Sequence, residues 1–160
     1  MNLTEFSRRY GAKDGVNQYY VLGTIILLSS VFVYGYIRCL FNFNDIFSNK
    51  MNQYIDGWVM VHFSIYVVIG LLFPGTFYLS MTIGILWEIF ELWAGYAKPS
   101  FLIGIGNCRH DITNNAQKKM LVSNDNKGKD KYWWYGQYED IIADLLGFIV
   151  GKYILIPILL

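Results

Sequence analysis

Residues 76–96 read TFYLSMTIGILWEIFELWAGY, and this stretch decides the fold. A helix of about 20 apolar residues crosses the roughly 30 Å hydrocarbon core of a bilayer. Small or polar side chains recur at every third or fourth position, which places them in one stripe along a helix; they are Ser80, Gly84, Glu88, Glu91 and Gly95. Lipid does not solvate carboxylates, so this stripe must face protein or water. The stretch therefore predicts a transmembrane helix whose polar side lies against the rest of the protein.

The whole chain shares this apolar composition. Of its 160 residues, 54% are hydrophobic and 16% are charged, whereas about 25% of an average soluble protein is charged. Three further apolar runs cover about residues 19–41, 57–73 and 140–160. Pro74 and Gly75 predict a tight turn between the second and third runs. We therefore expect an all-α, polytopic four-transmembrane-helix bundle in the lipid bilayer, a single membrane domain over residues 1–160, with a long polar loop, 97–139, between helices 3 and 4.

Charge and cysteine content exclude several classes of protein. The net charge is +1, so the chain has no strong field to attract a polyanion, and we expect no nucleic-acid partner. Its two cysteines, Cys39 and Cys108, are too few for a disulfide framework and lack the C-x-x-C spacing of metal sites. Both are expected to be free thiols.

The distribution of basic residues predicts an orientation. Four spans place both termini on one side of the membrane and the connections 42–56 and 97–139 on the other. This loop side carries nine Lys or Arg residues when Arg38 is included, against three in the N-terminal segment. Lys and Arg favour the cytoplasmic side, so the count predicts that both connections are cytoplasmic. Arg38 is expected to extend its long side chain toward that interface.

The polar loop ends in an aromatic cluster, which comprises Tyr132, Trp133, Trp134, Tyr135 and Tyr138. Trp and Tyr are enriched at membrane–water interfaces, so we interpret the cluster as an interfacial belt. An aromatic ligand site is the alternative. Earlier in the loop, Asp111 is expected to cap a short helix that runs to Lys119.

Three predicted spans carry ionisable or polar side chains among their apolar residues. These are His62 and Tyr66 in the second span, Glu88 and Glu91 in the third, and Asp140 and Asp144 in the fourth. A charge at the bilayer centre costs about 2.5–3.5 kcal/mol on insertion scales, so such residues are usually functional or paired. At about 1.5 Å of rise per residue, His62, Glu91 and Asp144 lie about 5–10 Å below the loop-side surface, with Glu88 one turn deeper. We therefore predict one ligand-binding pocket formed by these six residues and roofed by the loop.

The residue types in this pocket indicate its chemistry. Several carboxylates in one pocket need a shared proton or a cation. One imidazole with several carboxylate oxygens matches the ligand preferences of divalent metals, and the candidate metal ligands are His62, Glu88, Glu91 and Asp144. A proton held on a glutamate beside His62 is the acid–base alternative. Whether the protein is an enzyme stays open, because no Ser or Cys stands in the setting of an activated nucleophile.

Structural explanations stay open for the same residues. The two glutamates have Lys152 and the loop lysines as alternative ion-pair partners, and His62 alone is compatible with a packing role. Asp140 is also in place for an N-terminal helix cap. Gly147 and Gly151 form a small-xxx-small surface, which is typical of close helix packing.

The pocket residues also carry a family resemblance. The sequence resembles the VanZ-like family of small four-helix membrane proteins over about residues 56–152, at His62-Phe63, Tyr66, Gly70, Glu88, Glu91, Asp140, Asp144, Gly147 and Gly151. Uncharacterised bacterial membrane proteins of the YjdF kind share this layout. The family has Gln and Asn where this chain has Glu91 and Asp144, and Asp56 lies two residues earlier than the family's aspartate. The resemblance implies a four-helix membrane fold and an association with tolerance to glycopeptide antibiotics of the teicoplanin type.

Two functions from different classes fit the sequence. The first is a VanZ-like integral membrane protein whose His/carboxylate pocket binds a lipid-linked or cationic small ligand, directly or through a divalent metal. The second is a structural membrane-anchored subunit of a larger assembly, either a viral membrane-capsid layer or a multi-subunit membrane complex, that docks protein partners through loop 97–139. Trp133 and Trp134 would be its interface anchors. An ion or proton transporter is less favoured, because the sequence shows no inverted repeat.

Overall fold

The computed structural model describes residues 17–41, 43, 45–47, 55–106, 108 and 133–159. Four helices account for most of them: α1 Gln18–Phe41, α2 Gly57–Leu72, α3 Phe77–Ala97 and α4 Tyr138–Ile149. A 3-10 turn, Ser100–Leu102, follows α3, and α4 continues through a π-helical stretch, Val150–Leu155, into a last helical turn, Ile156–Leu159. These bounds agree with the predicted spans to within two residues. The helix predicted from Asp111 to Lys119 lies outside the described residues.

The helices have the length and surface of membrane spans. Three of them are long and apolar enough to cross a bilayer: α1, α3 and the last helix over Tyr138–Ile158. Leu22, Ile25, Ile26 and Val33 of α1 are each more than half exposed, and soluble monomers rarely expose large contiguous apolar patches. Three helices of this length with exposed apolar side chains are typical of a helical membrane protein. α2 is equally apolar but has 16 residues, about 24 Å of helix.

Glycines bring α2 and α4 into close contact. A Cβ atom at Gly147 would meet the backbone carbonyl of Phe63, and one at Gly151 would meet that of Val67. Both contacts advance four residues along each helix, so the two helices run in the same direction. The prediction that Gly147 and Gly151 form a helix-packing surface is confirmed.

α1 packs against the other helices near its start and along its second half. The Tyr20 hydroxyl and Ser80 Oγ of α3 lie 2.8 Å apart, and the Tyr20 ring packs edge-on against Phe73. Further along, Phe32 packs against the rings of Trp87 and Trp134. Between these two regions, α1 leaves space beside α2 and α3.

A disulfide ties the end of α1 to the chain after α3. It joins Cys39 to Cys108, which follows 69 residues later, so the prediction of two free thiols is wrong. Arg38 is buried beside it and donates from Nη1 to the carbonyl oxygen of Gly106 at 2.6 Å. The expectation that Arg38 extends toward the membrane interface is also wrong, because its guanidinium finds this acceptor within the protein.

A non-helical segment, residues 133–137, leads into α4 along the side of α3. A Cβ atom at Gly95 would meet the carbonyl oxygen of Trp134, and one at Gly136 would meet that of Glu88. The segment therefore passes two turns of α3 before α4 begins. Non-helical backbone at membrane depth is tolerated where it is buried in protein, and the two glycines permit that burial.

The same close approach turns most of the aromatic cluster inward. Trp134 is 1% exposed and packs with Ala94 and Leu102, while Trp133 and Tyr135 are half-buried. The interpretation of Trp134 as part of an interfacial belt is wrong, and for Trp133 and Tyr135 it stays a prediction. Tyr138 is exposed, as a belt residue would be, and Tyr132 lies outside the described residues.

Candidate functional site

His62 and Asp144 form the closest contact among the predicted pocket residues. The packing of α2 on α4 brings His62 Nδ1 to 3.0 Å from Asp144 Oδ1. The Asp144 side chain is fully buried, and His62 keeps a small exposed fraction. A carboxylate at this distance fixes the orientation and the tautomer of an imidazole, because the ring nitrogen that faces it carries the proton.

Glu88 approaches the opposite side of the same ring. Its Oε1 atom lies 3.7 Å from His62 Nε2, and its Oε2 atom accepts a hydrogen bond from the backbone N–H of Gln137 at 2.8 Å. The imidazole is thus placed between a carboxylate of α3 and one of α4. Lys152, the alternative partner for the glutamates, instead lies 5.1 Å from the centroid of the Tyr153 ring.

Tyr66 lies beside the His62–Asp144 pair and links α2 to α3. Its hydroxyl donates to the carbonyl oxygen of Ser80 at 2.8 Å. Gly84 leaves the space that Tyr66 and Asp144 occupy, because a Cβ atom there would meet the Tyr66 hydroxyl and would lie 2.6 Å from Asp144 Oδ2. The small residues of the α3 stripe therefore make room for the polar groups of α2 and α4.

Three buried carboxylate oxygens of the cluster have no hydrogen-bond partner among the described residues: Glu88 Oε1, Asp140 Oδ1 and Asp144 Oδ2. Leaving a buried acceptor unsatisfied costs about 1–3 kcal/mol, and more for a charged group. Such a cluster has the capacity to take up a cation or a ligand with several donors. Asp140 is not the N-cap of α4, because Gln137 occupies that position and Asp140 lies in the first turn.

A subset of the cluster matches the arrangement of a metal site. One donor atom from each of His62, Glu88 and Asp140 lies within 4.8 Å of the other two. This set differs from the predicted ligands, which include Glu91 and Asp144. Asp144 faces the other ring nitrogen of His62, and Glu91 lines the adjoining cavities.

Two cavities adjoin the cluster. The larger, of about 80 Å³, runs between α1, α2 and α3 from His62 and Glu91 to Tyr20, and most of its other lining residues are apolar. A smaller cavity of about 20 Å³ lies between His62, Glu91 and Asp140 on one side and Trp58, Trp133 and Tyr135 on the other. The polar residues of the cluster suit a polar head group, and the larger, apolar cavity suits the apolar part of the same molecule.

The aromatic residues above the smaller cavity are held by two aspartates. Asp45 Oδ2 accepts from the indole N–H groups of Trp58 and Trp133, each at 2.8 Å. Asp56 caps α2 by accepting from the backbone of Trp58, and its second oxygen accepts from the Tyr135 hydroxyl at 2.9 Å. Burial raises the pKa of the Tyr135 phenol, and the Asp56 carboxylate adds to this rise. Tyr135 therefore remains a protonated donor at physiological pH.

Trp58, Trp133 and Tyr135, with Asp45 and Asp56, form a roof over the smaller cavity. The sequence analysis did not predict this roof. Trp133 and Tyr135 were predicted only as members of the aromatic cluster, with Trp133 also as an interface anchor, and Asp45 and Trp58 were not singled out. One available signal is the Asp56-Gly57 pair before an apolar run, since Asp is a preferred N-cap residue. The contacts of Asp45 with Trp58 and Trp133 carry no local signal, because they join three separate parts of the chain.

Glu88 lies at about the predicted depth along α3, whereas Asp144 lies deeper than predicted, beside Gly84. Glu88 is the twelfth of the 21 residues of α3, so nine further residues, about 14 Å of helix, separate it from the loop-side end. Its bond with Gln137 shows that the last helix begins beside Glu88 and not level with the end of α3. The expected depth of 5–10 Å assumed that these helix ends are level.

Comparison with known proteins finds no matching family model, curated protein or solved structure. The chemistry of the site therefore has to be inferred from its own residues.

Proposed function

We propose that this protein is a four-span membrane protein whose intramembrane pocket binds a lipid-linked or cationic small ligand. The polar part of the ligand lies at His62, Glu88, Asp140 and Asp144, with Tyr66 and Glu91 beside it. The observation that carries the proposal is the set of buried, unpartnered carboxylate oxygens that adjoins an apolar cavity. α2 has only 16 residues, but it packs closely along α4 and runs in the same direction. This packing supports α2 as the fourth span.

The charge of the cluster favours a cation. Four carboxylates, those of Glu88, Glu91, Asp140 and Asp144, surround one imidazole. Buried charges are stable only when they are paired or coordinate a cation. A protonated amine or a metal ion supplies that compensation.

The surroundings of the cluster favour an amphipathic molecule. The 80 Å³ cavity shares Tyr20, Thr24, Leu27, Ile65 and Ile69 with a groove of about 420 Å³ between α1 and α2. In a bilayer, hydrocarbon chains surround such a groove. A ligand with a cationic head and a hydrocarbon chain therefore fits both parts of the site.

The alternative, a structural subunit that docks through loop 97–139, has weaker support. Trp134 is buried within its own chain, so this residue is not available as an anchor for a partner. Most of the loop, residues 109–132, lies outside the described residues. The resemblance to the VanZ-like family stays a prediction from the sequence, since no family model matches the chain.

Two observations favour opposite orientations of the protein. The positive charges predict a cytoplasmic loop side, whereas a disulfide such as Cys39–Cys108 is typical of oxidising compartments. We give the covalent bond more weight, because one of the nine counted charges, Arg38, is buried in the protein. We therefore propose that the loop side faces an oxidising compartment, opposite to the orientation that the charges predict.

Ligand binding is testable with tetradecylamine, which combines a cationic head with a saturated chain. The full-length protein is purified in a neutral maltoside detergent and its apparent Tm is followed with tetradecylamine or with the uncharged tetradecanol. Saturation at about 100 times Kd stabilises a protein by about 2.7 kcal/mol, so we expect the amine to raise Tm well above the effect of the alcohol.

The double variant Glu88→Gln, Glu91→Gln is expected to lose this difference, while its helical content and elution volume stay unchanged. Glu139→Gln is the matched control, because Glu139 lies in the first turn of α4 outside the cluster. Equal effects of amine and alcohol on the wild type, or undiminished amine binding by the folded double variant, would refute the proposed function.

A further inference from the structure

The geometry points to a divalent transition-metal ion, Zn²⁺ or Mn²⁺, as the cation in this pocket, bound by His62 Nε2, Glu88 and Asp140, with Asp144 as the residue that positions the imidazole. This inference rests on the proposed function, because it names the cation that the same carboxylates hold.

The three donors are close to the spacing of a coordination shell. All three atoms lie within 4.8 Å of one another, and His62 Nε2 is 3.7 Å from Glu88 Oε1. With bonds of about 2.0–2.2 Å in a tetrahedral site, donors lie about 3.4 Å apart. Side-chain movements of about 1 Å would therefore complete the site without a change in the helices.

The carboxylate ligands have free acceptor atoms for the ion. Glu88 and Asp140 are 4% and 2% exposed. Within the described part of the chain, Glu88 Oε1 and Asp140 Oδ1 have no hydrogen-bond partner. The remaining oxygen of Glu88 is held by the backbone of Gln137, which fixes the carboxylate. These Oε1 and Oδ1 atoms are buried and accept no hydrogen bond from the described residues, as the ligands of an ion would.

Asp144 prepares His62 for coordination. Metal-bound histidines commonly donate their other ring N–H to a carboxylate, which fixes the tautomer and orientation of the ring. Asp144 Oδ1 lies 3.0 Å from Nδ1, so the lone pair of Nε2 is directed away from Asp144. Nε2 is also the nitrogen that faces Glu88, so the ring presents its free donor to the other ligands.

The donor set selects the class of ion. One imidazole and two carboxylates suit Zn²⁺ and Mn²⁺ better than Ca²⁺ or Mg²⁺, which prefer oxygen ligands alone. Three protein donors leave a coordination position for an oxygen atom of a bound molecule.

Metal binding is testable without knowledge of the natural ligand. The purified full-length protein is stripped with a chelator, dialysed against Zn²⁺ or Mn²⁺ alone, and its bound metal is measured by elemental mass spectrometry. We expect one ion per chain. Glu88→Gln and Asp140→Asn are each expected to weaken binding more than tenfold, and Glu139→Gln is the matched control.

The role of Asp144 requires a separate measurement. Asp144→Asn is expected to weaken metal binding 10- to 100-fold and to change the visible absorption of the Co²⁺-loaded protein, whereas Asp144→Glu should restore part of the affinity. The Co²⁺ spectrum of the wild type reports nitrogen and oxygen coordination even if a variant fails to fold. Absence of bound metal while tetradecylamine still raises Tm would overturn the metal site alone, and absence of both would overturn the proposed function as well.

Discussion

Trp133 donates its indole N–H to Asp45 Oδ2 over 2.8 Å, which joins the segment before the last helix to the connection after α1. Trp58 donates to the same oxygen, and the Tyr34 hydroxyl donates to Oδ1. One carboxylate thus holds three aromatic side chains from three parts of the chain. This contact fixes the roof over the polar cluster.

Asp45→Asn is expected to lower the free energy of unfolding by about 3 kcal/mol, because hydrogen bonds to a charged group contribute about 1.5–3 kcal/mol each and the amide offers fewer acceptors. Unfolding in a mixed detergent measures the change, and tryptophan emission should shift to the red. Thr82→Ala is the control, since Thr82 is exposed and its hydroxyl donates to Tyr78 of its own helix. Equal stability of the two variants would contradict the role of Asp45.

Gly84→Ala is expected to lower metal affinity at least tenfold and to destabilise the fold by about 1–3 kcal/mol. The added methyl group would displace Tyr66 or Asp144, and Asp144 is the residue that orients His62. Gly23→Ala is the matched control, because a Cβ atom at Gly23 has nothing within 4 Å. A Gly84→Ala protein with wild-type Tm and metal content would show that the spacing is not critical.

Ile65→Trp is expected to reduce tetradecylamine binding at least tenfold and to leave metal binding unchanged. Ile65 lines both the cavity and the groove, so a larger ring occupies the space of the hydrocarbon chain. The thermal shift and metal assays described above measure the two effects. Ile89→Trp, at an exposed position of α3, serves as the control. Loss of metal together with loss of the amine would instead indicate general damage to the site.

Cys39→Ala with Cys108→Ala is expected to lower the free energy of unfolding by about 2–4 kcal/mol, as for other disulfides that close long loops. Detergent unfolding with and without a reducing agent measures this loss. The reductant should destabilise the wild type and have no effect on the double variant. A wild type that is insensitive to reductant after unfolding and refolding would contradict the bond.

The orientation is expected to place both termini in the cytoplasm, since the disulfide favours an oxidising compartment for the loop side and the four proposed spans would return the chain to its starting side. A green fluorescent protein fused after Leu160 and expressed in bacteria folds and fluoresces only in the cytoplasm. A fluorescent fusion agrees with this orientation. A dark but membrane-inserted fusion would support the opposite one, which the charge distribution predicts.

The sequence predicted the helices well because their signals are local. The lengths of the apolar runs and the spacing of Gly84 and Glu88 depend only on nearby residues. The meeting of His62 with Glu88 and Asp144 was also predicted, because polar stripes on three helices have few other places to face.

Contacts between distant residues were not predictable in this way. The bond between Cys39 and Cys108 crosses 69 positions, and its partners have no recognisable spacing. The start of α4 beside Glu88 depends on Gly95 and Gly136, whose effect is evident only once α3 and the segment before α4 are packed together. For the same reason, the sequence did not distinguish Asp140, the proposed metal ligand, from Asp144, the proposed positioning residue.

The attachment of α1 at both ends limits the path by which the proposed ligand would reach the pocket from the bilayer. Tyr20 is bonded to Ser80 near one end of the helix, and Cys39 is covalently attached to Cys108 near the other. Between these points, Thr24 and Leu27 border both the groove and the cavity. α1 is thus fixed at both ends, and the proposed amphipathic ligand would enter from the lipid past the middle of this helix, with its hydrocarbon chain in apolar surroundings throughout.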